Sequence, residues 1–214
     1  RNFDIRKTLI KFDNVLNDQR HVIFSQRNNA LNSETIFDYS DEFLKEIIEN
    51  IIYLKREKKS SPKNTDFDNK LKAIIGKSFD NKEFQELIET SEISLKEKII
   101  GKFKESRDER IKILGEKYAK EIEKRIFLQS IDLNWKSHIQ YLEQLRQVIG
   151  LRSYGQRDPL IEYKKEAFEL FKNLLEKLKL DYVTILMNLK VVEQTNSLQS
   201  SSNQKSISDN PKCL

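Results

Sequence analysis

The 214-residue sequence has little glycine and proline, which are the residues that most often form turns. It contains 5 Gly and 3 Pro, whereas average usage gives about 15 and about 11 in a chain of this length. β-Sandwiches, barrels and doubly wound sheets need these residues at their many short connections. The scarcity therefore disfavours sheet folds and predicts an all-α protein built from long helices.

Cysteine and long apolar runs are also scarce. Cys213 is the single cysteine, so no internal disulfide can form and a reducing compartment is favoured. No apolar run approaches the roughly 20 residues of a membrane span, and no signal peptide opens the chain. We therefore expect a soluble, cytoplasmic protein. Because the sequence begins at Arg1, inside a predicted helix, we also expect a piece of a longer protein.

The net charge of +5 is small for 39 Lys and Arg against 34 Asp and Glu. Acidic and basic residues alternate along the predicted helices, which is typical of solvated helix faces. A dedicated nucleic-acid binder carries a clustered positive patch instead. Nucleic acid is therefore not an expected partner, and a helical nucleic-acid binder ranks last among the functional alternatives.

Helical periodicity predicts one long amphipathic helix over residues 1–29. Its apolar stripe is formed by Ile5, Leu9, Phe12, Leu16 and Ile23. Residues 30–115 break into shorter helices with start signals at Ser40, Asp80 and Ser94, and with a loop at 58–64. This stretch is predicted to be a small multi-helix subdomain.

Residues 116–190 predict a long antiparallel helical hairpin. Its first helix carries a seam with alternating steps of three and four: Leu128, Ile131, Trp135, His138, Leu142, Leu145 and Ile149. The second carries Phe168, Phe171, Leu175, Leu178, Tyr182, Ile185 and Leu189. Because the linker has only about nine residues, the two helices should run antiparallel with their apolar stripes facing each other. Trp135 and His138 are expected to be packing residues of this seam. The polar, serine-rich residues 191–214 predict a disordered tail.

No catalytic set is visible in the sequence. The run Gly76-Lys77-Ser78 matches the last three residues of the phosphate-binding-loop motif. However, Leu71 occupies the position of the motif's first glycine, and a predicted helix precedes the run where the motif requires a strand. The two histidines lack partners at metal-ligand spacing, and no nucleophile is paired with a base. We expect no catalytic residue and no metal site.

The predicted hairpin tip, residues 150–158, presents Leu151, Arg152, Tyr154 and Arg157. It is either an ordinary solvated loop whose Leu151 and Tyr154 fold back on the helix ends, or a contact surface for a partner protein, since aromatic residues and arginine are enriched at interfaces. The residues alone leave both interpretations open.

Several runs of residues are long and distinctive. They are RNFDIRK at 1–7, FDNVLNDQR at 12–20, QRN at 26–28, LQSID at 128–132, WKSH at 135–138, LRQ at 145–147, IGLRSYGQRDP at 149–159 and EYK at 162–164. These runs resemble the SecA family of ATP-driven motors of bacterial preprotein export. The resemblance covers 1–28 and 125–190, whereas 30–115 matches only in position and helical character.

The resemblance implies a division into parts. Residues 1–29 would begin the helical scaffold, 30–115 would be the helical wing, and 116–190 would be the scaffold hairpin, or two-helix finger. In the family the tip of this finger enters the SecYEG channel and contacts the unfolded preprotein. Tyr154 matches the family's tip tyrosine, with Leu151, Arg152 and Arg157 beside it.

The resemblance also implies partners and cofactors of the whole protein. ATP and Mg²⁺ would bind motor domains outside this sequence, so this chain alone would neither bind nor hydrolyse ATP. Cys213 matches the first ligand of a C-terminal zinc motif, but one thiolate cannot form a tetrahedral site, so no zinc is expected here. A complete tail would hold zinc and contact SecB. The protein would lie on the anionic cytoplasmic surface of the inner membrane. The alternative function, from the heptad seams alone, is a self-associating coiled-coil scaffold.

Overall fold

A computed structural model describes residues 2–32, 34–60, 66–75, 78–151 and 158–191. The regular structure in these ranges consists of seven helices: α1 (Asn2–Asn32), α2 (Ile36–Ser60), α3 (Asp66–Ile75), α4 (Asn81–Glu89), α5 (Glu92–Leu114), α6 (Glu116–Ile149) and α7 (Pro159–Asn188). The prediction of an all-α fold is confirmed. The predicted disordered tail lies outside the described residues from position 192 onward.

Several helix boundaries follow from local chemistry that the sequence displays. The backbone N–H of Asp80 donates to Glu83 Oε2 over 2.8 Å, which completes the predicted capping box of α4. Gly115 separates α5 from α6 with a φ of +83°, a conformation that glycine adopts without a Cβ clash. Asp158 accepts the Leu160 N–H over 2.8 Å and caps α7, whose first residue is Pro159.

Three predicted boundaries are wrong. Helix α2 begins at Ile36 rather than at Ser40 and continues through Ser60, into the predicted loop. Ser40 is buried inside α2, where its hydroxyl contacts Glu123 Oε2 at 3.0 Å. Helix α5 is capped by Ser91, which accepts the Ser94 N–H over 3.3 Å. Ser94 therefore lies in the first turn and is not the cap, because two serines three residues apart give the same signal.

Helices α6 and α7 form the predicted antiparallel hairpin. Phe127 of α6 meets Tyr182 of α7 with ring centroids 5.0 Å apart. Farther along α6, His138 and Phe171 lie 5.7 Å apart, and near the end of α6 the partner is Tyr163. The buried seam of α6 contains Ile131, Trp135, His138, Leu142, Leu145 and Ile149, with Leu128 half-buried. The hairpin prediction is confirmed.

The predicted seam of α7 is partly wrong. Phe168 and Ile185 are 64% and 43% exposed, whereas Ala167, Leu174 and Leu186 are buried. The reason is that α7 packs against α1 and the wing helices as well as against α6, so its buried face is broad. Spacing alone could not place that face, because α7 carries apolar residues around much of its circumference.

The wing helices α2–α5 share one hydrophobic core with the lower half of the hairpin. This core includes Ile48, Ile51, Leu71, Ile74, Leu95, Ile99 and Phe103 from the wing, and Phe127, Leu178, Tyr182 and Leu186 from the hairpin. A second cluster lies at the other end of the hairpin and receives Phe12 and Leu16 from α1. The wing and the base of the hairpin are therefore packed together directly. The domain limits at 29, 115 and 190 stay predictions.

Candidate functional site

The candidate site is the end of the hairpin where α6 stops and α7 begins, together with the helix bundle that supports it. Leu151 follows α6 and is 68% exposed, so its side chain does not fold back on the helix ends. Arg152, Tyr154 and Arg157 fall within 152–157, which lies outside the described residues. Their predicted role at the tip stays a prediction.

An apolar cluster, which we call the tip cluster, supports this end of the hairpin. Its buried members are Leu142, Leu145, Ile149, Tyr163 and Ala167. The Phe12 ring of α1 packs edge-on against Tyr163, with centroids 4.7 Å apart. Burial raises the pKa of the Tyr163 hydroxyl. The N-terminal half of α1 therefore packs beneath the tip, and the distal hairpin is a three-helix bundle.

Three polar contacts fix α1 along α6 in an antiparallel register. Asp13 Oδ1 lies 3.0 Å from Arg146 Nη1, and Gln19 Oε1 lies 2.7 Å from His138 Nε2. Arg27 donates to both carboxylate oxygens of Asp132, over 3.2 and 3.3 Å. Fourteen residues separate the first and last contacts on both helices, which is about 21 Å of helix axis. Because the spacing is equal on both helices, the contacts can form together in this one register of α1 on α6.

Gln19 is the buried member of this set and connects all three helices. Its Nε2 donates to the Ala167 carbonyl of α7 over 3.0 Å. A carbonyl can only accept, so the amide oxygen faces His138, and His138 Nε2 must carry the proton. The residue was not singled out from the sequence, although it lies between Leu16 and Ile23 on the apolar stripe of α1. A polar residue inside such a stripe is the signal that could have found it.

His138 and Trp135 are both buried in the seam. Their ring centroids lie 5.5 Å apart, and His138 is 3% exposed. Burial lowers the pKa of His138 to about 4, so the imidazole is neutral at physiological pH. With its Nε2–H donated in a hydrogen bond to Gln19 Oε1, His138 has the surroundings of a packing residue.

A buried ionic cluster at the opposite end of the hairpin was not predicted from the sequence. It consists of Ser40 and Asp41 from α2, Arg107 and Arg110 from α5, and Glu123 from α6, and we call it the base cluster. Glu123 is fully buried and accepts from Arg110 Nη2 over 2.9 Å and from Arg107 Nε over 3.4 Å. Arg107 also pairs with Asp41 over 2.9 Å. Its charges were expected to be solvated, because their sequence pattern is that of an exposed helix face.

In the ranges that the structure describes, no three His, Cys, Asp or Glu side chains are placed to hold a metal ion. The Ser78 hydroxyl of the phosphate-loop-like run donates to the Met187 carbonyl over 2.8 Å, and Gly76 and Lys77 lie outside the described residues. None of the described helices has the length and apolarity to cross a membrane.

Comparison with known proteins gives the family. Residues 1–190 match the family model of the SecA wing and scaffold domain. Protein translocase subunit SecA of Pelagibacter ubique (strain HTCC1062) is 65% identical over 214 residues, which is 100% of this chain and 25% of the relative. The protein of the same name from Hyphomonas neptunium (strain ATCC 15444) is 37% identical over 198 residues, 89% of this chain and 21% of the relative.

A third relative carries the same name. Protein translocase subunit SecA of Thermodesulfovibrio yellowstonii (strain ATCC 51303 / DSM 11347 / YP87) is 36% identical over 196 residues, 91% of this chain and 21% of the relative. The chain thus spans between a fifth and a quarter of the length of these relatives. Because the family model covers most of the chain, this protein belongs to the SecA family and comprises its wing and scaffold domain.

Proposed function

We propose that this chain is the scaffold and wing part of a preprotein translocase motor. In the proposal, motor domains elsewhere in the protein close on ATP, and the hairpin passes their movement to a preprotein at the membrane channel. The family membership and the name shared by the relatives support this function. The chain itself would supply the mechanical link, and nucleotide chemistry would belong to the motor domains.

The observation that carries the proposal is the braced hairpin. A hairpin of about 50 Å is held by a third helix through contacts spaced along α6 from Asp132 to Arg146. Interdigitated helices resist bending, because packed interiors are dense and deform in discrete steps. A rod with these properties transmits a displacement from one end to the other, whereas a single unsupported helix pair would absorb part of it.

Each partner in the proposed function would contact a different part of the protein. The exposed Leu151, together with Tyr154, Arg152 and Arg157, would contact the SecYEG channel and the unfolded preprotein. A tyrosine suits a chain of varied sequence, since its ring offers a broad apolar face with one polar group. ATP and Mg²⁺ would bind in the motor domains. Zinc and SecB would bind a complete tail, and the protein would act at the anionic cytoplasmic face of the inner membrane.

Site-specific cross-linking tests the tip assignment. In the full-length protein Cys213→Ser removes the cysteine of this chain, any other cysteines are also replaced, and Tyr154→Cys introduces a probe at the tip. Ser137→Cys, on the exposed side of α6, is the matched control away from the tip. With a preprotein stalled in the channel, the cysteine at position 154 should cross-link to the preprotein and the one at 137 should not. Absence of a cross-link from 154 in an engaged channel would reject the assignment.

Self-association through the heptad seams has less support. The seam residues Trp135, His138 and Leu142 are buried against helices of the same chain. They are therefore not available for a coiled-coil partner unless the hairpin opens. Light scattering decides between the two functions, because a coiled-coil scaffold must form dimers through these seams.

A further inference from the structure

We propose that Arg110 and Glu123 are positioning residues that fix the C-terminal end of α7 on the wing, so that the hairpin has a rigid base and a movable tip. The role in coupling rests on the proposed function of the hairpin. The fixed base itself rests on the geometry of the base cluster, and the two parts are tested separately below.

The first line of support is the way in which α7 ends. The last four carbonyls of a helix have no intrahelical partner. In α7 two of these are satisfied by wing residues: Leu186 O accepts Arg110 Nη1 over 2.8 Å, and Met187 O accepts the Ser78 hydroxyl over 2.8 Å. A cation at this end also complements the negative end of the helix dipole. The wing therefore caps α7 through tertiary contacts.

The second line of support is that Arg110 is itself held in place. Its guanidinium is 1% exposed, and its Nη2 donates to Glu123 Oε1 over 2.9 Å. Its Nη1 also donates to Ser106 Oγ over 2.8 Å, within α5. Because Glu123 belongs to α6, one side chain of the wing joins both helices of the hairpin. A planar guanidinium with donors in a fixed fork can bridge these partners at once, whereas an ammonium supplies only a compact point charge.

The third line of support is the charge balance of the base cluster. Arg107 and Arg110 are matched by Glu123 and Asp41, and Ser40 Oγ accepts from Arg107 Nη2 over 2.7 Å. Removing one partner of a buried pair leaves an uncompensated charge, which is strongly unfavourable. The buried charges are paired in this arrangement, although Arg110 Nε has no hydrogen-bond partner among the described residues. Sliding would separate these pairs, so the base resists sliding more than an apolar interface does.

The tip end of the hairpin is held differently. Its tip cluster is apolar, and its ion pair joins Arg146 to an Asp13 carboxylate that is 60% exposed. This exposed pair helps to set the register of α1, but it contributes less stability than the buried pairs of the base, since water and salt screen it. The contrast between a charge-paired base and an apolar tip predicts that the stiff hairpin moves as a unit about its base, so that displacement is largest at the tip.

Hydrogen exchange in the full-length protein tests the fixed base. Arg110→Met removes the cap and the bridge while keeping an unbranched side chain, and Glu123→Gln removes the charge that holds Arg110. Both variants should raise amide exchange over residues 182–191 at least tenfold and leave residues 142–149 unchanged. Arg110→Lys, which restores a cation, should recover part of the protection.

The matched control is Leu95→Ala, a cavity in the same helix α5 at a fully buried position outside the cluster. It lowers the melting temperature without removing a cap, so exchange over 182–191 should not rise selectively. Unchanged exchange at 182–191 in Arg110→Met, or an equal rise there in Leu95→Ala, would overturn the fixed base.

The second readout is the amount of ATP hydrolysed per preprotein translocated. Arg110→Met should raise this ratio at least threefold, and Leu95→Ala should leave it at the wild-type value. Selective exchange with an unchanged ratio would overturn the role in coupling while the fixed base stands. A wild-type protein that translocates no preprotein would instead overturn the proposed function, and the exchange experiment would still decide the placement of α7.

Discussion

Lowering the pH should destabilise the chain through the buried imidazole of His138. The imidazole is buried, donates to Gln19 through Nε2, and has its pKa lowered by burial to about 4. In the unfolded chain an ordinary histidine has a pKa of about 6.5. Between these two values the unfolded state binds more protons than the folded state, so stability falls as the pH falls below 6.5.

The magnitude follows from the two pKa values. Proton linkage gives a loss of about 2 kcal/mol between pH 7 and pH 5 from His138 alone. For a chain of this size that corresponds to a decrease in melting temperature of about 4–8 °C. Carboxylates and other groups add their own pH dependence, so the informative quantity is the difference between matched variants.

Urea unfolding of the 214-residue chain at pH 7 and pH 5 measures that difference. His138→Gln keeps a side chain that can hydrogen-bond to Gln19 but does not titrate, and its stability should fall less than that of the wild type by about 2 kcal/mol. His21→Gln, at the other histidine, which is exposed, is the matched substitution outside the seam. If His138→Gln lost as much stability on acidification as the wild type, the neutral, buried state of His138 would be refuted.

Two further predictions concern α7. Ala167→Leu places extra volume between α7 and α1 and should destabilise the chain by about 1–3 kcal/mol. Phe168→Ser, at the neighbouring exposed position, should change stability by less than about 0.5 kcal/mol. Denaturant unfolding of the two variants tests which face of α7 is buried, and equal losses of stability would contradict the observed face. Asp158→Ala removes the N-cap of α7 and should lower the free energy of unfolding by about 1 kcal/mol. Asp158→Asn should keep most of the stability, because asparagine also caps helices well. Equal melting temperatures for the two variants would argue against the cap.

Much of the helix plan could be predicted from sequence because it depends on neighbouring residues. The Asp80 capping box, the Gly115 break and the Asp158-Pro159 start are each decided within a few residues. The α6 seam was also readable, because a single dominant stripe carries its buried residues. At the candidate site, the sequence placed Trp135 and His138 on that seam, and both are buried.

Other features depend on residues that are distant in sequence. Ser40 and Glu123 meet across 83 positions, and Gln19 and His138 across 119. No local pattern distinguishes Arg110, which is buried, from a neighbouring lysine that is solvated. The face of α7 was misjudged for the same reason, since the wing and α1 determine which of its apolar residues are covered.

The antiparallel register of α1 and α6 constrains changes in chain length as well as substitutions. A one-residue insertion between Asp13 and Arg27 would rotate everything beyond it by about 100° and advance it by about 1.5 Å. Asp13–Arg146 and Arg27–Asp132 could then not form together. Length changes that preserve the bundle would have to come in matched blocks of about seven residues in both helices, which return each helix to nearly the same face. In this part of the chain, insertions and deletions should therefore be far less tolerated than single substitutions on the exposed faces.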